Sequence, residues 1–222
     1  MKKATVAGAA VALGFLASPG ALSVEVPLEL KEERMVIEYT ATSEEAAIVV
    51  SAEAESRLAR LEVRGPLGPA LLDLRSGGSE LGLLGFVVET GEATPEELFD
   101  AYPAGEYHLR ARTVDGRTAF GTARFSHALP SVPIVRYPPE GALDVPTTGL
   151  VLSWVPDPLA DSYRVNLEQG ETDVMTVIVR DGSGTFRVPD GVLEGGRRAQ
   201  LEIGAVGPDG NTTIVEIPFL TR

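Results

Sequence analysis

The chain has no cysteine among its 222 residues. That absence excludes disulfides, thiolate zinc sites, cysteine nucleophiles and a lipidated N-terminal cysteine. Histidine is almost as scarce, with only His108 and His127. No HExxH-type spacing links them, and each is expected at the surface, so no metal site is assigned. Lysine is confined to Lys2, Lys3 and Lys31, and every other basic side chain is arginine. Aromatic residues make up only 6% of the chain, with a single tryptophan, which leaves few side chains for a ligand platform. The nucleophile signatures GxSxG and SxxK are missing, and so is a GK[ST] phosphate loop. The glycine-rich "GGSELGLLG" runs into "FVVET", a strand pattern, and reads as a loop between strands. Acids are numerous, 32 in all, and a carboxylate pair cannot be rejected by counting. A sandwich of this size offers little depth for a catalytic cleft, however, so no catalytic residue is assigned and a secreted hydrolase ranks last.

What is present begins with "MKKATVAGAAVALGFLASPGALS". Lys2 and Lys3 form a basic start, residues 4–17 are apolar, and Ala21-Leu22-Ser23 supplies small residues for cleavage. Residues 1–23 are therefore expected to be a signal peptide, too short in its apolar run to anchor the mature chain across a membrane. The expected location is the periplasm or the medium. Removal takes the formal charge from −13 to −15, because two lysines leave and no acid does. So anionic a protein is a poor partner for nucleic acid or anionic lipid, and the acidity reads as a solubilising surface.

From Arg34 onward apolar residues recur at every second position, the pattern of antiparallel strands with one buried face. Met35, Ile37 and Tyr39 share one face of "MVIEYTAT". Ile48, Val50, Ala52 and Ala54 share one of "AAIVVSAEAES", and Leu61 and Val63 one of "RLEVR". One helix interrupts. In "TPEELFDAYPAG", Thr94 caps, Pro95 takes the first helical position and Glu97 closes a capping box. A hairpin follows, turning at Asp115-Gly116, with Tyr107, Leu109 and Ala111 inward and His108, Arg110 and Arg112 outward. The proline-rich "SHALPSVPIVRYPPEG" reads as a boundary that holds two domains apart semi-rigidly. Beyond it, Leu150, Leu152 and Trp154 share a face, as do Tyr163, Val165 and Leu167. That phase makes Trp154 and Tyr163 core residues rather than ligand platforms, and burial of an indole is worth roughly several kcal/mol.

Residues 133–222, approximately, resemble a fibronectin type III domain. The resemblance rests on Pro138-Pro139-Glu140-Gly141-Ala142, Val145-Pro146, Leu152-Ser153-Trp154 and Tyr163-Arg164-Val165. It continues through "FRVPDGVLEGG" and "EIGAVGPDGN". It departs at Ala199, where such domains usually carry a corner tyrosine, whereas Tyr107 takes the equivalent place in the first half. Through "IEYTAT" and "PAGEYHLRARTVDGRTAFGTARFSHALP" the first half is similar to the N-terminal region of uncharacterised secreted bacterial proteins, which implies no activity.

The expectation is an all-β protein of two Ig-like or fibronectin type III-like β-sandwich domains in tandem, with one short helix in the first. Residues 24–129 form the first domain, 130–137 a proline-rich linker and 138–222 the second. The structural core includes Tyr107, Leu152, Trp154, Tyr163 and Val165. No catalytic activity, cofactor or metal is expected. Asp157, Asp161, Asp209 and Asn211 lie in loops but lack the spacing of a calcium loop. "NTT" at 211–213 is a formal glycosylation sequon that is not expected to be used. The leading reading is an exported interaction or spacer module with a protein partner. A carbohydrate-binding accessory module, using Tyr102 and Tyr137 as aromatic contacts, ranks second.

Overall fold

The computed structural model describes residues 28–68, 70–76 and 83–222. The expected signal peptide, and most of the glycine-rich loop before Leu83, lie outside the described residues. The first half carries β1 (Leu28–Glu29), β2 (Lys31–Thr40), β3 (Glu45–Arg64), β4 (Ala70–Arg75), β5 (Leu83–Glu89), α1 (Pro95–Ala101), β6 (Gly105–Thr113) and β7 (Thr118–Phe125). The capping box expected for α1 is formed. Thr94 Oγ1 accepts from Glu97 N at 3.4 Å, and the Glu97 carboxylate accepts from Thr94 N at 3.0 Å.

The sequence pattern divides "AAIVVSAEAES" from "RLEVR", but the structure runs both into one strand of 20 residues, β3. Ala47 apart, buried side chains fall on even positions up to Leu58 and on odd ones at Leu61 and Val63. The register against β6 shifts between Leu58 and Arg60, and this extra residue reverses which face points inward. The bulge lets one strand serve two layers. Residues 45–53 pair with β2 and β5, residues 60–64 pair with β4 and β6, and Leu58 between them pairs with both β5 and β6. Met35, Ile37, Ile48, Leu58, Leu61, Leu109 and Phe125 fill the space between the layers.

The second half carries β8 (Ile134–Tyr137), β9 (Ala142–Val145), β10 (Val151–Val155), β11 (Ser162–Gln169), β12 (Asp173–Val179), β13 (Thr185–Arg187), β14 (Arg198–Val206) and β15 (Thr212–Thr221). A three-stranded sheet, β13-β10-β8, packs on the strands β12-β11-β14-β15. Between them lie Leu152, Trp154, Tyr163, Val165, Leu167, Leu201, Ile203 and Phe219, all buried. The Trp154 and Tyr163 rings meet at 5.2 Å between centroids. Trp154 is 2% exposed, because its position two residues from Leu152 on a pleated strand turns the indole toward the opposing sheet.

The proline-rich stretch differs from its reading as a spacer. Residues 134–137, expected inside the linker, form β8 and pair with β10, and Val135 and Tyr137 pack against the second core. The halves are not held apart either. Thr212–Ile214 of β15 pairs in parallel with Glu38–Thr40 of β2. A continuous sheet in the order β1-β7-β6-β3-β2-β15-β14-β11-β12 therefore runs through both cores. The pairing engages three residues of each ten-residue strand and so closes the part of each edge where the halves meet. All-β architecture with one short helix holds throughout, while the division into halves is softened by that shared sheet.

Candidate functional site

The meeting of β2 with β15 is the most heavily built polar region of the described chain, and it centres on Asn211. This residue follows the glycine turn "GPDG" and is 1% exposed. Its Oδ1 accepts from the backbone N–H of Ile37 at 2.8 Å. Its Nδ2 donates to the carbonyls of Ser126 at 3.0 Å and Ala128 at 2.8 Å, and to the Asp209 carboxylate at 3.2 Å. One side chain thus joins β2, the segment after β7 and the β14–β15 turn. Only one amide orientation fits, since the nitrogen faces acceptors and the oxygen faces a donor. The Ser126 hydroxyl also bonds the Asp209 carboxylate.

Around this centre, Thr213 Oγ1 donates to the Pro130 carbonyl at 2.8 Å, and Glu216 N donates to Thr42 Oγ1 at 3.0 Å. Arg164 on β11 reaches Glu38 on β2 with two bonds of 2.8 and 3.2 Å. Such bidentate geometry fixes orientation as well as adding attraction. Burying a polar group without partners costs about 1–3 kcal/mol, so a satisfied set of this size enforces one arrangement of the halves. The sequon asparagine is consumed here, and a glycan on its nitrogen would take one of the two N–H groups that serve these acceptors, in a site that is 1% exposed.

The aromatic contacts expected at Tyr102 and Tyr137 are not brought together and are not free. Tyr102 caps the end of α1, is half-buried against the first core, and its carbonyl accepts from His127 Nε2 at 2.8 Å. Tyr137 is half-buried against the second core. Neither supplies the exposed ring a saccharide platform needs. His127, expected at the surface, instead stacks on Phe99 at 4.3 Å and meets Phe125 edge-on at 5.5 Å. His108 is exposed, with Nε2 3.6 Å from Glu106. The loop oxygens considered for calcium have other partners or stand apart. Asp157 accepts from the backbone of Leu159 at 2.9 Å and of Ser131 at 3.1 Å, bonds that hold its carboxyl below the usual range. Among the described residues no group of three or more His, Cys, Asp or Glu side chains is placed to hold a metal ion.

Two corner contacts complete the picture. Tyr107 is fully buried and its hydroxyl donates to the Pro103 carbonyl at 2.9 Å, which ties the entry of β6 to the chain four residues upstream. In the second half, where Ala199 stands instead, two other buried side chains pin the corresponding loop. Gln169 Nε2 donates to the Glu194 carbonyl at 3.0 Å and Gln169 Oε1 accepts from Glu194 N at 2.8 Å. Thr221 Oγ1 reaches the Glu194 carbonyl at 2.7 Å. The lost tyrosine is thereby replaced from two strands. Sequence reasoning missed both residues, because neither Gln169 nor Thr221 belongs to a local motif.

No protein-family model matches the chain, and no curated protein matches it either. Solved structures similar to it along most of its length include fibronectin type III-like modules and a repeat from a large adhesion protein. The fibronectin(III)-like modules of CbhA from Clostridium thermocellum are 10% identical, with 90% of this chain and 92% of that chain covered and a TM-score of 0.35. A two-domain fibronectin type III segment of chicken tenascin is 15% identical, with 87% and 97% covered and a TM-score of 0.32. A tetra-tandem repeat from the extending region of a large adhesion protein is 14% identical, with 87% of this chain and 49% of that chain covered and a TM-score of 0.31.

Proposed function

We propose that the protein is an exported, non-catalytic interaction module that holds two β-sandwich domains, residues 24–129 and 138–222, in one fixed relative orientation. It acts at the cell envelope or outside it as a stiff spacer that presents its outer sheet faces and end loops to a partner. The observation that carries this reading is the Asn211 junction: a buried amide whose donors and acceptor are all engaged between the halves. Two flexibly tethered domains need no such network, whereas a part whose use depends on geometry does. The residues of 130–137 then serve as a strap across the junction, with the Pro130 carbonyl and β8 both engaged.

The reading is tested in three measurements on the protein recovered from its own cells. N-terminal sequencing should find the mature chain starting near Val24, in the envelope or medium fraction. Small-angle scattering should fit one rigid arrangement, and Asn211→Ala should loosen it. Generic ester, peptide and glycoside substrates should remain unhydrolysed. Retention of residues 1–23 in the cytoplasm, a flexible scattering profile for the wild type, or turnover of any of those substrates would overturn it.

A further inference from the structure

The acidic net charge conceals a segregated basic face. On the outer side of β3, β4, β6 and β7 the register sets Arg75, Arg60, Arg112 and Thr118 in one row. Asp73, Glu62, Arg110 and Phe120 form the next. Arg64 and His108 follow on β3 and β6, and Arg124 on β7 faces Glu106. Like charges directly opposite on neighbouring strands oppose folding, so three arginines abreast are a feature that stability does not explain.

The two acids that lie among these arginines, Asp73 and Glu62, are already engaged, while Glu29 on β1 stands across from Phe120 and Glu106 across from Arg124 at the margin of the face. Asp73 takes Arg60 at 2.7 Å and Arg75 at 3.1 Å, and those two guanidinium groups hold its carboxyl down at about 2. Glu62 takes Arg64 at 2.5 Å. Arg110 and Arg112 are left with no carboxylate partner among the described residues. They flank an open groove of about 380 Å³, together with Arg60, Glu62 and Thr118. Beside it stands Phe120, directly across from Arg110 and 46% exposed. It is the one exposed aromatic side chain among the described residues.

We propose that this groove binds an acidic polysaccharide built of uronate residues. The inference rests on reading the protein as a binding module and names a ligand class for one of its faces. Arg110 and Arg112 lie two residues apart on one strand, about 7 Å, and each guanidinium can take one carboxylate with two parallel bonds. Thr118, across from Arg112, offers a hydroxyl to the sugar's own hydroxyls, and the Phe120 ring offers an apolar face to the ring C–H groups. A polyanion without rings would use the arginines and leave Phe120 idle. The aromatic beside the charges therefore favours a saccharide over an acidic peptide. The strongly negative remainder of the protein confines such a chain to this one face.

The test is calorimetric titration of the protein with polygalacturonate, with neutral dextran and poly-L-glutamate as comparison polymers. Polygalacturonate should bind, more weakly as salt rises, and dextran should not. Arg110→Ala/Arg112→Ala should weaken binding roughly tenfold or more with a melting temperature no lower than that of the wild type. Arg197→Ala/Arg198→Ala, on the other half, should leave it intact. Phe120→Ala should weaken polygalacturonate and not poly-L-glutamate. Absence of polygalacturonate binding at low salt, an unaltered Arg110→Ala/Arg112→Ala variant, or poly-L-glutamate binding as tightly as the uronate polymer would each overturn the proposal. Asn211→Ala separates this from the fixed-geometry reading, since it should loosen the junction and leave uronate binding in place.

Discussion

Replacing Asn211 by aspartate changes one atom at the centre of the junction and inverts its logic. The oxygen that accepts from Ile37 N is kept. The nitrogen that donates to the Ser126 and Ala128 carbonyls becomes an acceptor facing acceptors at 3.0 and 2.8 Å. Two carbonyls lose their donor in a site that is 1% exposed, at about 1–3 kcal/mol for each buried group left unsatisfied. The new negative charge also sits beside the Asp209 carboxylate, which the lost amide had approached at 3.2 Å. A total loss of about 3–5 kcal/mol is expected, a large share of the stability of an ordinary domain. Urea unfolding followed by two probes reads both size and cause. Trp154 is the only tryptophan and lies in the second core, so its fluorescence reports that half, while far-ultraviolet dichroism reports both. In the wild type the two transitions should coincide. In Asn211→Asp both should move to lower urea and separate, because the coupling between halves has gone. Acid should partly restore the variant, since burial and Asp209 push the new carboxyl's pKa up and its protonated form can donate again. A variant within about 0.5 kcal/mol of wild type, with coincident transitions, would refute the reasoning.

Three further outcomes follow from other positions. Tyr107→Phe removes the bond to the Pro103 carbonyl from a fully buried ring and should lower stability by about 1–2 kcal/mol in chemical denaturation; no change would mean that the corner is ornamental. Glu216 has its carboxyl pushed up from 4.5 by burial first and then by Glu202 and Glu168. The folded state thus holds that proton more tightly than the unfolded chain does, a contribution complete at low pH and lost as pH rises through the raised value. Glu216→Gln should therefore melt higher than wild type at pH 7 and show no advantage below about pH 4; the opposite trend would contradict the assignment. Gly184 has φ +63°, and a Cβ there would come within 2.7 Å of the Trp154 carbonyl. Gly184→Ala should lower the melting midpoint by an amount equivalent to at least about 1–2 kcal/mol, and an unchanged midpoint would show that the β10–β13 contact gives way freely.

The local features were legible in the sequence because their causes are local. A capping residue, a proline and a glutamate at fixed offsets are enough to start α1, and Asp115-Gly116 between alternating segments is enough to turn β6 into β7. The phase reversal in β3 was not legible, because a bulge reads as the end of one strand and the start of another. Nor was the pairing of β2 with β15, which lie some 170 residues apart. Strand edges carry no local sign of the partner they will meet. The proline stretch misled for a related reason: Val135 and Tyr137 alternate over too few residues to announce β8 among four prolines. Asn211 was visible only as a polar residue in a hairpin turn, an oxygen for calcium or a sequon. Its engagement depends on Ile37, Ser126 and Ala128 arriving from elsewhere. The basic face was hidden by a net charge of −13, since a sum says nothing about which sheet face each charge occupies.

The absence of cysteine makes the fixed orientation of the halves directly measurable. Thr122→Cys on β7 and Glu171→Cys in the β11–β12 turn are both exposed positions, one in each half, and accept spin labels without competing thiols. Pulsed electron–electron double resonance between them should give one narrow distance distribution, which broadens when Asn211→Ala is added. A distribution in the wild type already as broad as in the Asn211→Ala background would contradict a junction that locks the two cores together.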